Sequence, residues 1–140
     1  LYDRDLYSYV VDYIKKIPEP FVIGINTNTT HDLQLTKGAV PRFGFETQLE
    51  KHQSVMWHAD QELSEFLKEL KNLNSQRPIT VALVADHTSY FSGGYLDQYS
   101  VPFAISGKDV PVGIKNQFST QKDLAATLAD LFGISAPHYL

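Results

Sequence analysis

The spacing of apolar residues changes once within the first 25 residues. In residues 3–17 apolar side chains recur every three or four positions, which predicts a helix with one buried face. Asp3 has a side chain suited to the N-cap, and Pro18 and Pro20 end the helix. The continuous apolar run in residues 21–25 then predicts a short buried strand.

The longest apolar stripe lies in residues 47–72 and predicts a second helix. His58 falls off this stripe, so we expect it in solvent, whereas we expect His52 at the edge of the core. Asp60 borders the stripe, where a carboxylate needs a hydrogen-bonding partner, and a structural role is favoured over a catalytic one. The stripe consists of Leu49, His52, Met56, Ala59, Leu63, Phe66, Leu67 and Leu70.

Two further apolar runs predict strands. Residues 79–85 are apolar on both faces apart from Thr80, a pattern typical of a central parallel strand. Residues 101–105 predict a third strand, with Pro102 near its start.

The last periodic segment predicts a closing helix. Ser119 or Thr120 is its expected cap, and Asp123 supplies the carboxylate of a capping-box variant. Gly133 stands where a helix is followed by a glycine. Its apolar face is expected to consist of Leu124, Leu128 and Leu131.

The order helix, strand, helix, strand, strand, helix predicts an α/β layered fold with a mostly parallel sheet. Three strands make a thin sheet for this class, and both of its edges are exposed unless further chain covers them. We therefore expect residues 1–140 to form a single domain that is part of something larger.

Composition and net charge exclude several classes of protein. The chain is 43% hydrophobic and 20% charged, which is ordinary for a globular protein. Its net charge of −4 argues against a nonspecific nucleic-acid binder, because such binders need a basic surface. The absence of cysteine excludes disulfides, thiolate metal sites and a cysteine nucleophile. No apolar run approaches the roughly 18 residues of a membrane span, and we expect no signal peptide in these residues.

The side chains best suited to catalysis or metal binding follow two of the predicted strands. Asp86 and His87 follow the strongest strand, and His31 lies in the loop after the first one. Ligands of open α/β sheets bind outside the carboxyl ends of the strands. A carboxylate beside an imidazole suits a divalent cation, although two ligands do not complete a site. The alternative is a turn-capping aspartate beside a solvated histidine.

No nucleophile or phosphate loop is identifiable from the residues. The glycine pair in residues 92–95 lacks the Gly-Lys-Ser/Thr of a phosphate loop. Hydroxyls near the expected rim have no activating base in the sequence. These hydroxyls are Thr27, Thr29, Thr30 and Ser89.

The order of these motifs resembles the C-terminal half of the catalytic domain of the alkaline-phosphatase and sulfatase superfamily. The likeness is strongest to the branch of lipoteichoic acid synthases and phosphoglycerol transferases. Each stretch is short, but together they cover nearly the whole chain in the family's order. The stretches are residues 3–7 with 20–23, the histidine loop 27–31, the helix 54–70 with Asp60, and the series 81–87, 99–105 and 122–133.

The resemblance implies a three-layer αβα sandwich and an extracytoplasmic, metal-dependent enzyme acting on phosphate or sulfate esters, lipid-linked esters among them. Asp86 and His87 are then metal ligands, with Mn, Zn, Mg and Ca all open, and His31 contacts the substrate phosphate or the leaving group. The family's Ser or Thr nucleophile and its remaining acidic ligands lie upstream of the matched region. The partner of this chain is then the rest of its own catalytic domain, with a membrane anchor further upstream.

Departures from the family pattern bear on the substrate. Thr88 replaces the glycine that often follows the Asp-His pair, and Leu33 stands where a proline is common. No histidine follows His87 until His138, and no lysine lies between His87 and Val101, which favours the phosphoglycerol-transferase-like branch. A sulfatase or phosphodiesterase of the same fold remains an alternative, as does a non-catalytic binding domain or relic.

Overall fold

The computed structural model describes residues 2–74, 76–88, 93–115 and 117–135. Three residues considered in the sequence analysis lie outside these ranges: Ser89, Ser92 of the glycine-containing loop, and His138. The chain divides into two compact units, Leu1–Arg77 and Pro78–Leu140. Its elements are α1 (Asp3–Ile14), α2 (Gln48–Leu73), β1 (Val81–Val84), β2 (Phe103–Ser106) and α3 (Asp123–Leu131).

The core of the first unit lies between α1 and α2. The ring of Tyr7 stacks on that of Phe66 with centroids 4.5 Å apart and planes 12° apart. Removing these apolar surfaces from water is what holds the two helices together. The buried apolar residues of this unit are Tyr7, Val10, Val11, Ile14, Val55, Phe66 and Leu70.

Helix α1 begins where the sequence predicts but is not capped as expected. Tyr2 occupies the N-cap position and makes no side-chain capping bond. The prediction of Asp3 as N-cap is wrong: Asp3 is inside the helix and buried, and its carboxylate accepts hydrogen bonds from a distant loop instead. The helix ends at Ile14, earlier than predicted, and hydrogen-bonded turns continue the chain to Ile17.

Arg77 closes the C-terminal end of α1. Its guanidinium donates to the carbonyl oxygens of Ile14 and Ile17, the latter at 2.7 Å, and pairs with Glu19 at 2.7 Å. The same cation lies 5.2 Å from the ring centroid of Phe21. These bonds satisfy carbonyls that the end of a helix leaves without an intrahelical partner.

Residues 21–25 were predicted to form a strand and do not form one in the structure. Their exposure alternates nonetheless, with Phe21, Ile23 and Ile25 half-buried and Val22 94% exposed. Within the described residues no backbone hydrogen bond joins this segment to another strand. The segment thus has the alternation of a strand but no strand beside it among the residues that the structure describes.

Helix α2 begins with a complete capping box. The Thr47 hydroxyl accepts from the Glu50 amide at 3.2 Å, and the Glu50 carboxylate accepts from the Thr47 amide at 2.9 Å. Both bonds satisfy amides that the first turn would otherwise leave open. The bonds from the backbone of Thr47 and Glu46 hold the pKa of Glu50 below its usual value.

The buried face of α2 differs from the predicted stripe in its first half. Phe66 and Leu70 are buried as predicted, but Leu49 and Met56 are 51% and 46% exposed. Ser54, by contrast, is fully buried. Its hydroxyl accepts from the Phe43 amide at 2.9 Å and donates to a loop carbonyl, so the buried polar group has hydrogen-bond partners. Polar side chains that bond the preceding loop thus set this face, which a hydrophobicity pattern does not detect.

The second unit contains β1 and β2, which pair antiparallel. Val81 lies opposite Ser106, and Val84 lies opposite Phe103. The sequence indicated a mostly parallel sheet of three strands, whereas the described part of the chain has an antiparallel sheet of two, because residues 21–25 do not pair and β2 runs opposite to β1. No described residue of this unit is buried, so β1 is not covered on both faces as its composition predicts.

Helix α3 ends in a Schellman motif. Gly133 adopts a left-handed φ of 63°, its amide bonds to the Asp130 carbonyl at 3.1 Å, and the Ile134 amide bonds to Ala129 at 2.8 Å. The prediction of Ser119 or Thr120 as the cap is wrong, because α3 begins at Asp123 and Lys122 occupies the N-cap position without a side-chain capping bond. Asp123 still accepts from both the amide and the hydroxyl of Thr120, at 2.6 and 3.0 Å. These bonds hold the pKa of Asp123 below its usual value.

Over the described residues, none of the three helices combines the length and the apolar composition needed to cross a bilayer.

Candidate functional site

Asp86 and His87 stand directly after the carboxyl end of β1. The amide of Ala85 extends the ladder by donating to the Pro102 carbonyl at 3.4 Å. The Gln121 side-chain amide then donates to the carbonyl oxygens of Ala85 and Asp86, both at 2.7 Å. Gln121 precedes α3, so the start of that helix fixes the backbone from which both candidate ligands project.

The two side chains share one side of the turn. Asp86 Oδ1 accepts from the His87 amide at 2.9 Å, and Asp86 Oδ2 lies 3.7 Å from His87 Nε2. His87 Nδ1 lies 2.8 Å from the Thr88 carbonyl oxygen. Because a carbonyl can only accept, Nδ1 carries the proton, and the neutral imidazole then has its lone pair on Nε2.

This arrangement fits part of a divalent cation site. Metal-to-donor distances of about 2.0–2.2 Å allow one ion to bridge a carboxylate oxygen and an imidazole nitrogen that lie this far apart. A histidine ligand with its other nitrogen on a backbone carbonyl is the usual supporting arrangement. Among the described residues, however, no group of three or more His, Cys, Asp or Glu side chains could hold a metal.

Both candidate ligands face solvent. The side chain of Asp86 is 88% exposed and that of His87 is 57% exposed. A shallow cavity of the same unit lies between the sheet and α3, lined by Val84, Phe103 and Gln121 among others, and includes neither ligand. Within the described part of the chain, the exposed pair therefore lies at the strand end outside this cavity.

His31 lies in the first unit, at the end of a turn formed by residues 28–31. Its amide donates to the Asn28 carbonyl at 3.1 Å, and its side chain is 70% exposed. His31 Nδ1 lies 2.8 Å from Asp32 Oδ1. This hydrogen bond to the imidazole holds the pKa of Asp32 below its usual value. A carboxylate on Nδ1 orients the ring and leaves Nε2 to face solvent or substrate.

The turn that carries His31 is bonded to α1. Asp3, which is 4% exposed, accepts from the Asn28 amide at 2.8 Å and from the Thr29 amide at 3.2 Å through each carboxylate oxygen. Leu33 follows with a left-handed φ of 48°, a conformation that a leucine rarely adopts. The buried carboxylate of Asp3 thus holds the start of this turn, and Leu33 follows the turn in an unfavourable backbone conformation.

The other side chains considered from the sequence have different surroundings. His52 is half-buried, in agreement with a place at the core edge. The prediction that His58 is solvated is wrong, because its side chain is only 19% exposed and its Nε2 lies 3.0 Å from buried Glu62. The alignment of that contact falls short of a hydrogen bond. Asp60 is exposed and accepts from Gln61 at 3.3 Å, so it does not border the core as expected.

Three residues of these sites were missed by sequence reasoning. Asp3 was assigned to a cap, and neither Gln121 nor Asp32 was considered as a site residue. Only Asp32 had a local signal, a carboxylate next to a histidine. The contacts of Asp3 and Gln121 join residues 25 or more positions apart in the chain, and a single sequence does not reveal them.

The family model described as Sulfatase matches residues 1–134. No curated protein and no solved structure matches the chain.

Proposed function

Because the chain belongs to the sulfatase family, we propose that it is the C-terminal part of the catalytic domain of a metal-dependent phosphoryl-transfer enzyme. The family implies an α/β, alkaline-phosphatase-like fold, and its members are hydrolases or transferases that generally use a divalent metal. The finer assignment, to the phosphoglycerol transferase and lipoteichoic acid synthase branch, rests on the order of motifs along the chain. The parent protein would act in the cell envelope and be membrane-anchored.

The observation that carries the proposal is the pair Asp86 and His87 at the end of β1. Asp86 Oδ2 and His87 Nε2 would hold the metal, and the Thr88 carbonyl would keep the ring in the orientation that its Nδ1 contact sets. When bound, a divalent ion stabilises the negative charge that develops on the ester oxygens. The metal identity stays open among Mn, Zn, Mg and Ca.

His31 has a separate role in this proposal, at the substrate phosphate or the leaving group. Its Nδ1 donates to Asp32, so Nε2 of the protonated ring is the atom that donates a hydrogen bond or a proton to an ester oxygen. The Asp32 carboxylate keeps the imidazole ring in one orientation through this contact.

The remaining part of the catalytic domain would supply the Ser or Thr nucleophile and the other acidic ligands. Segment 21–25 supports this, because it alternates like a strand and has no pairing partner within the described residues. In the proposed three-layer αβα sandwich, its partner is a parallel strand of the upstream part. Other upstream elements would pair with the edge of β1 and cover its exposed face.

A sulfatase or phosphodiesterase is the second candidate. It is favoured by the family itself, whose members act on sulfate esters. A panel of p-nitrophenyl sulfate, p-nitrophenyl phosphate and bis(p-nitrophenyl) phosphate, assayed with the native protein, separates these activities. Dominant turnover of the sulfate monoester would replace the phosphoryl-transfer proposal.

The test of the proposal is Asp86→Ala in the native protein, with Asp109→Ala as a matched exposed control in the same unit. We expect Asp86→Ala to abolish turnover of the best ester of the panel and Asp109→Ala to retain it, since loss of a metal ligand removes charge stabilisation. Wild-type turnover by Asp86→Ala would refute the metal assignment. A native protein without turnover whose melting temperature is unchanged by added Mn²⁺ or Zn²⁺ would support a non-catalytic binding domain.

A further inference from the structure

Asp3 is a buried carboxylate that, among the described residues, accepts its side-chain hydrogen bonds from one loop. It is 4% exposed and sits in the first turn of α1. Its two oxygens accept from the backbone amides of Asn28 and Thr29 at 2.8 to 3.2 Å. Burial of an ionised carboxylate is costly unless donors replace its water, so these amides are what allow it to be there.

The bonds fix the turn that ends in His31. Asn28 and Thr29 are its first two residues, and the His31 amide closes it by donating to the Asn28 carbonyl at 3.1 Å. Both backbone polar groups of Asn28 are therefore bonded: its amide donates to Asp3, and its carbonyl accepts from the His31 amide. Hydrogen bonds to a charged acceptor are stronger than neutral ones, which makes Asp3 the firmest constraint on this turn.

Other roles for Asp3 find no support in its contacts. The N-cap of α1 is Tyr2, not Asp3. Within the residues that the structure describes, no Lys, Arg or His side chain forms an ion pair with Asp3, whereas neighbouring Asp5 lies 4.0 Å from Arg4. A negative charge in the first helical turn is favourable in itself, but exposed Asp5 supplies the same effect without burial.

We propose that Asp3 is a positioning residue for His31: its carboxylate holds the turn of residues 28–31 and thereby sets where the imidazole meets the ester. This inference rests on the function proposed for His31. It adds a residue in a different element, which acts through backbone amides and does not touch the substrate.

The experiment compares Asp3→Asn with Asp5→Asn in the native protein, each alone and combined with His31→Ala. Asn retains the shape of Asp3 but loses the charge and one acceptor oxygen, and Asp5→Asn removes an equal charge from the same helical turn. The readouts are kcat and KM for the best ester of the p-nitrophenyl panel. We expect Asp3→Asn to lower kcat about 10- to 100-fold with KM unchanged, and Asp5→Asn to leave both unchanged.

The double variants distinguish positioning from a general structural role. If Asp3 acts through His31, Asp3→Asn changes kcat by about twofold or less once His31 is replaced by Ala, because coupled residues are not additive. An equal loss in both backgrounds, or no loss in either, would overturn the inference. Wild-type turnover by His31→Ala alone would instead refute the role proposed for His31.

A measurement on the wild-type protein covers the case in which Asp3→Asn does not fold. Backbone amide exchange should be slow at Asn28 and Thr29, whose amides bond the buried carboxylate, relative to exposed Thr27 and Thr30. Equal exchange at all four amides would show that Asp3 does not hold the turn. That result would overturn the inference whether or not His31 acts on the ester.

Discussion

At the scale of single residues, buried polar groups decide more of this structure than its hydrophobic pattern indicates. Thr36, which is 2% exposed, donates to Glu62 at 2.6 Å, and Glu62 is itself buried on α2. Ser54 bonds a loop in the same way. Hydrophobic periodicity places such residues in solvent, which is why His58 and the first half of the α2 stripe were predicted wrongly.

Replacement of Thr36 by Val should destabilise the protein by about 1–3 kcal/mol, because a buried carboxylate of Glu62 loses its hydrogen-bond donor. Urea unfolding of the native protein measures this, and Thr30→Val, an exposed site in the same unit, is the control. A Thr36→Val protein as stable as Thr30→Val would show that the bond contributes nothing.

Tyr7 makes stability depend on alkaline pH. Burial, followed by the nearby charges of Asp3 and Glu62, raises the pKa of Tyr7 from 10.0 to about 12. The folded state thus keeps a proton that the unfolded state releases, so this contribution is complete below pH 10 and is lost as pH rises toward about 12. Tyr7→Phe should flatten the decline of stability over that interval in chemical unfolding, and an unchanged decline would contradict the assignment.

At the scale of elements, the helices were predicted well and the strands poorly. Local signals mark helix ends: the Thr47 cap before α2 and Gly133 after α3 are both visible in the sequence. Strand pairing depends on residues far apart in the chain, and the sequence signal of residues 21–25 specifies a strand without its neighbour. The antiparallel register of β1 and β2 likewise has no local signature.

Gly133→Ala should cost about 1–2 kcal/mol, since a side chain disfavours the left-handed φ of 63° that the Schellman motif of α3 requires. Gly24→Ala is the matched control, because Gly24 has no atom within 4 Å of an added Cβ and no positive φ. Thermal unfolding of the native protein compares them. Equal melting temperatures for the two variants would count against the motif.

At the scale of the whole molecule, the two units differ in how well they are packed. The first unit has a buried core between α1 and α2, and no described residue of the second unit is buried. Val112 and Phe118 are 106% and 104% exposed, and Val22 of the first unit is 94% exposed. Apolar exposure on this scale is consistent with the proposal that upstream chain completes the sheet and covers these surfaces.

This proposal predicts a difference in amide exchange between two forms of the protein. Residues 21–25 should exchange slowly in the native protein, where strand pairing would protect them, and rapidly in the isolated 140-residue chain, where no described neighbour bonds them. Amides of the α1 core serve as the internal reference. Equally rapid exchange of residues 21–25 in both forms would contradict a shared sheet.

The role of Asp86 and His87 as metal ligands stays a prediction. They were chosen because they follow a strong strand, and Asp86 Oδ2 and His87 Nε2 lie 3.7 Å apart in the structure. The supporting contacts from Gln121 and Asp3 were not predictable, since each comes from an element distant in sequence.

The most direct test of the central claim is the divalent metal content of the native protein and of Asp86→Ala, measured by elemental analysis after exhaustive dialysis. The account predicts that each wild-type chain retains at least one divalent ion. It predicts that Asp86→Ala binds this ion about tenfold more weakly or worse, and so retains less of it. Equal metal content in both proteins would contradict the assignment of Asp86 and His87 as ligands.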